Sequence, residues 1–148
     1  MIKQTIQDID NIIRHCGAGW FDNGQLLPRA FQLKRDKQEV AISVNWLEFH
    51  KRLTFVEAME DVTNELAAIG RHIGATSQFA RLNVGRVRRE IAAHTKGKIV
   101  LEVQHEPIPK NSSHSEIHGM HHLNRVDEFV AAHLLCKLVE EFHPPRLR

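Results

Sequence analysis

Between His105 and His122 the chain gathers five of its eleven histidines, together with Ser112, Ser113, Ser115 and the carboxylate of Glu116. His114, Glu116 and His118 are spaced two apart, so in an extended segment their side chains project from one face. Two imidazoles and a carboxylate are the donors of a 2-His-1-carboxylate or an open zinc site. A divalent transition metal is therefore the one cofactor this stretch would accommodate, although no cofactor is firmly implied. A histidine here can also serve as general acid or base, because its ordinary pKa lies near neutrality. In either case His114 and Glu116 carry the chemistry and Glu48 is a candidate helper. Gly119 breaks the line before His121 and His122.

Complete signatures are missing. There is no H-E-x-x-H helix and no G-x-S-x-G elbow. His114-Ser-Glu116 matches half of a zinc deaminase pattern, but no P-C-x-x-C follows. The plainer reading is a polar loop in which Asn111-Ser-Ser113 starts a turn and the histidines are solvated. A second group, Arg81, Arg86, Arg88, Arg89, Lys96 and Lys98, places Arg86 and Arg89 on one helix face, where they could contact phosphates or a partner. With a net charge of only +2, few aromatic residues and no recognition motif, a nucleic-acid role is disfavoured.

The elements that must position these residues follow from hydrophobic spacing. Ile2, Ile6, Ile9 and Ile13 mark an amphipathic helix, with a short strand open at its end over Ile12–Cys16. Asp22-Asn-Gly24 is a turn. Arg29–Leu33 and Val40–Phe49 read as a hairpin across a charged turn, the second strand being the clearest in the chain. Ile42, Val44 and Trp46 share one face of it, and Ser43, Asn45 and Leu47 share the other. Asparagine is depleted in strands, and Asn45 is read as part of a polar face at the sheet surface. Thr54-x-x-Glu57 has the capping-box spelling before a helix ended by Gly70. The opposite face of that helix, with Glu57, Glu60, Asn64 and the flanking Asp61 and Glu65, reads as solvated. Gln78–Val84 is a strand that leads through Gly85 into a short helix, whose N-terminus could hold an anion only weakly. Ile99–Val103 is a further strand, and Asn124 caps a last helix that Pro144-Pro145 ends.

These elements predict a single α+β domain over residues 1–148, with a mostly antiparallel sheet of three to five strands and helices packed on one face. Composition is ordinary for a globular protein, at 42% hydrophobic and 26% charged. No apolar run approaches membrane-spanning length, and the first residues carry no secretory pattern. Cys16 and Cys136 lack any paired spacing and read as small buried hydrophobes. A cytoplasmic protein with no membrane partner is expected.

Four blocks occur together: Asp8-x-Asp10-x-Ile-x-Arg14, Ser43-Val-Asn-Trp-Leu-Glu48, Leu82-Asn-Val-Gly85, and Asn111-Ser-Ser-His-Ser-Glu-Ile117-x-Gly119. In this order they resemble a family of short uncharacterised bacterial proteins with no established activity. The resemblance covers most of the chain and directs attention to Asn45, Glu48, His114 and Glu116. The leading expectation is a bacterial domain that is not an enzyme. It would bind an unidentified protein or small ligand through Asn45, Trp46, Glu48 and the His114 loop, with a homodimer also compatible. The alternative is a metal-assisted or histidine-based hydrolase using His114, Glu116 and His118. A nucleic-acid binder using Arg86 and Arg89 comes third.

Overall fold

A computed structural model describes residues 2–145, and its centre is β1, Asn11–Cys16, where Ile12, Ile13 and Cys16 are all buried. Consecutive residues of a strand face opposite ways, so a strand apolar on both sides must be covered on both sides. β1 is so covered. The main sheet has six strands in the order β6-β7-β4-β1-β5-β8. These strands are β4 (Ile42–Trp46), β5 (Gln78–Asn83), β6 (Glu102–His105), β7 (His114–His118) and β8 (Glu141–His143), and every pairing is antiparallel. A separate two-stranded ribbon, β2 (Phe21–Asp22) and β3 (Gln25–Leu26), turns at Asn23-Gly24, both at positive φ.

The helices are α1 (Phe55–Ala68), α2 (Val84–His94) and α3 (Arg125–Leu138). Ala58, Met59, Val62 and Leu66 of α1 pack on Ile13, Leu47 and Phe79. On the other face, Val87 and Ile91 of α2 and Ala132 and Leu135 of α3 pack on Ile12, Val44, Leu82 and Ile117. Thr54 and Asn124 cap their helices as expected, accepting from Glu57 N and Asp127 N, and Asn83 caps α2 by accepting from Arg86 N.

The α+β class and the antiparallel sheet agree with the sequence. The sheet has six strands, however, and helices lie on both its faces rather than on one. The adjacent pairs Ile12-Ile13 and Phe79-Ala80, apolar on both faces, are the reason. Residues 2–10 form no helix. Ile6 is buried while Ile2 and Ile9 are exposed, and the segment runs along β6, with Gln4 N donating to His105 Nδ1 and Arg88 Nη1 to Ile6 O. The Arg29–Leu33 strand is also absent. Pro28–Phe31 is a 3-10 turn, and β4 takes its partners from β1 and β7 instead. Among the described residues, no helix is long and apolar enough to cross a membrane.

Candidate functional site

β7 alternates as its sequence requires: Ser115 and Ile117 are buried toward the α2/α3 side, which leaves His114, Glu116 and His118 on the α1 side. The register sets Asn45 opposite His114 and Ser43 opposite Glu116 on β4. On β6, Gln104 faces Glu116 and Glu102 faces His118. The three predicted ligands thus share a face, but they do not share a site. His114 is buried, with Nδ1 2.6 Å from Glu106 O and Nε2 3.3 Å from Ser43 Oγ. Glu106 takes its place beside the other two. One donor atom each from Glu106, Glu116 and His118 lies within 4.8 Å of the others. His118 Nε2 stands 3.3 Å from Glu116 Oε1 and 3.8 Å from Glu106 Oε1, while Lys3 Nζ lies 2.8 Å from Glu106 Oε2.

The most heavily bonded carboxylate of this face belongs to a residue the sequence placed on a solvated helix flank. Glu65 of α1 accepts from the backbone N–H and hydroxyl of both Ser112 and Ser113, and lies 3.2 Å from His50 Nε2. Burial would push its carboxyl up, but the hydrogen bonds from Ser113, Ser112 and His50 outweigh that and hold it below the ordinary range.

An ionised carboxylate only accepts, and this fixes every bond behind it. The single hydroxyl proton of Ser113 goes to Glu65, so Ser113 Oγ accepts from Asn45 Nδ2 at 2.8 Å. Asn45 Nδ2 gives its second proton to Asn111 Oδ1 at 2.6 Å. The Asn111 amide is thereby turned so that Nδ2, a buried donor, has no partner among the described residues. Buried amide donors are almost always paired. This one belongs to a residue that lines a recess of about 130 Å³. Asn45 is therefore buried inside the network and not at a sheet surface.

The recess exists because two strands part. β1 and β4 pair only at Ile12–Trp46 and Ile13–Asn45, and then diverge. Arg14 bridges the fork, with Nη1 donating to Ser43 O at 2.7 Å and Nε and Nη2 to Ala30 O. These acceptors are backbone carbonyls, and burial lowers the guanidinium pKa to about 10. Above the fork the walls come from Ile13 and His15 of β1, Ser43, Asn45 and His114 of the sheet, Leu66, Ile69 and Arg71 at the end of α1, and Ile108 and Asn111. Ile108-Pro109-Lys110-Asn111 is a turn with Lys110 at φ 66° after the proline, the type II pattern, and it brings Asn111 over the sheet. His15 Nε2 lies 2.9 Å from Ser77 Oγ. Burial first, then Arg71, Arg14 and His72, lower its pKa to about 4.

The remaining candidates are committed elsewhere. Glu48 accepts from Asn11 N and Nδ2 at 2.7 and 2.9 Å and anchors the start of β1. Trp46 is buried, its Nε1 bonded to Asp10 and its ring set against Phe49 and His105. Arg86 pairs with Glu140, and Arg89 lies 3.7 Å from Asp8. Arg81, Arg88 and Lys98 have carboxylate partners too. The start of α2 is closed as well, since Gly85 N donates to Asp8 O and a side chain at Gly85 would meet Asp8 at 2.9 Å. Cys16 is buried and Cys136 half-buried, both free.

Sequence reading missed Glu65, Asn111, His15, Arg14 and Arg71. The signal available for two of them was a basic residue at Arg14 and a histidine at His15 inside an otherwise apolar strand. The four sequence blocks lie on adjoining strands, with Asp10 bonded to Trp46, Asn83 to Asp8 O, and Asn45 to Asn111. Compared with family models, curated proteins and solved structures, the chain matches none.

Proposed function

We propose that this protein is a small-ligand-binding domain whose site is the recess between the β1/β4 fork and the end of α1. One observation carries the reading: a hydrogen-bond chain anchored on Glu65 holds a buried Asn111 donor without a partner beside a recess of about 130 Å³. An unpaired buried donor costs about 1–3 kcal/mol. A ligand acceptor would have to come within hydrogen-bond reach of this amide, which is itself 0% exposed, to remove that cost. The volume is close to the roughly 150 Å³ that accommodates benzene, so the ligand is small. Of the residues expected to bind, Asn45 and His114 line the site, while Glu48 and Trp46 serve the fold.

The test is a thermal-shift screen with compounds of up to about ten heavy atoms, repeated on Ile69→Trp, which fills the recess from its half-exposed rim. A saturable rise in Tm that vanishes in Ile69→Trp is expected. No saturable ligand, or equal binding by the variant, overturns the proposal.

A second reading, metal-assisted hydrolysis, is favoured by the convergence of Glu106, Glu116 and His118. It requires stoichiometric divalent metal in protein purified without a histidine tag. That metal would be lost in His118→Ala and kept in His114→Ala, because His114 is held by Glu106 O and Ser43. Metal-free protein that takes up none on dialysis against zinc or manganese rules it out.

A further inference from the structure

The charges around the recess say what kind of ligand fits. Arg71 and Arg14 line it, and among the described residues no aspartate or glutamate does. The Arg14 guanidinium, spent on the carbonyls of Ala30 and Ser43, has no carboxylate bonded to it. Glu39 acts on it through space and it lies over the Trp20 ring, but with Arg71 beside it the adjoining space keeps a positive potential that favours an anion. Asn111 adds a donor that needs an acceptor oxygen. Charge and donor together select an oxyanion. The remaining wall is aliphatic, made by Ile13, Leu66, Ile69 and Ile108. Such a wall would leave a fully polar ion such as phosphate poorly solvated on one side, whereas an acid with a short hydrocarbon tail satisfies both halves.

We infer that the recess binds a small aliphatic carboxylate, its oxygens toward the Asn111 amide and Arg71 and its tail among Ile13, Leu66, Ile69 and Ile108. This rests on the recess being the ligand site. At about 130 Å³ the space suits a chain of about four carbons. His15 is a built-in reporter. Its imidazole is kept neutral by burial and by Arg71, Arg14 and His72, so an anion arriving among those charges makes it easier to protonate. Proton uptake and anion binding are then reciprocal. His114, the other titratable group of the wall, has both ring nitrogens engaged.

The full chain, labelled with ¹⁵N and ¹³C, is titrated with sodium butyrate, with butyramide as the uncharged isostere, and with sodium phosphate. Butyrate is expected to shift the Asn111 side-chain amide saturably and to raise the His15 titration midpoint from about 4. Butyramide should bind at least tenfold more weakly. Arg71→Gln, in an exposed loop position, should weaken butyrate by about tenfold, the worth of one charge-assisted hydrogen bond. Butyramide as tight as butyrate overturns the choice of an anion while the recess stands as a ligand site. Saturation by phosphate and not by butyrate overturns the organic acid. If none of the three moves Asn111, both this inference and the ligand site itself fail.

Discussion

At the scale of single residues, Glu65 decides the state of the candidate site, because its charge orients Ser113, Asn45 and Asn111 in turn. Removing it in Glu65→Ala strands four donors from Ser112 and Ser113. A cost of about 3 kcal/mol in urea unfolding is expected, at the upper end for leaving buried groups unpaired. The pH dependence has a definite sign. The folded carboxyl titrates below its ordinary value of 4.5, so its contribution is complete above that pH and is lost as pH falls through the folded pKa. Glu65→Gln should flatten this acid limb of the stability curve, and an unchanged limb would assign the acid sensitivity to other carboxylates. None of this was visible beforehand. Glu65 sits at the edge of an amphipathic pattern, where periodicity says only that a residue is not core. The serines that bind it lie 47 and 48 positions away.

Among the elements, those whose evidence is local were legible and those defined by long-range pairing were not. The capped helices α1 and α3 and strands β4 and β5 follow from spacing and end signals. The proposed N-terminal helix failed because the same isoleucine spacing also suits an extended chain: Ile6 and Ile13 are buried in different clusters, while Ile2 and Ile9 are exposed. The supposed hairpin failed because β4 is a two-sided interior strand whose neighbours come from elsewhere in the chain. His114, Glu116 and His118 were rightly seen as cofacial. That Glu106 displaces His114 depends on the turn at Pro109, which brings the two ends of the β6–β7 connection together. Gly119 gives this region its testable point. It adopts φ 115°, and a methyl group there would collide with Val100 O and reach Leu101 Cδ2 at 3.1 Å. Gly119→Ala should cost at least about 2 kcal/mol in denaturant unfolding. A neutral result would mean that the segment between β7 and α3 can move aside freely.

For the molecule as a whole, the sheet is a set of distant pairings. β1 pairs with β4 and β5 (Ile13 with Asn45, Arg14 with Ala80), and β4 pairs with β7 (Ile42 with Ile117). Loop closure must precede these contacts, so refolding from denaturant should take milliseconds to seconds and not microseconds. Stopped-flow Trp20 and Trp46 fluorescence checks this, and a microsecond phase carrying the full amplitude would contradict it.

The central position of β1 has a consequence for how the protein is made. The ribosome delivers this strand before either of its neighbours, so an apolar ribbon with two open edges must wait while β4, α1 and β5 are synthesised. In that interval Ile12 and Ile13 have no layer to enter and Arg14 has no carbonyls of Ala30 and Ser43 to hold. At the roughly 5–20 residues per second of translation, the wait lasts several seconds. A pause in translation before β5 would lengthen that wait.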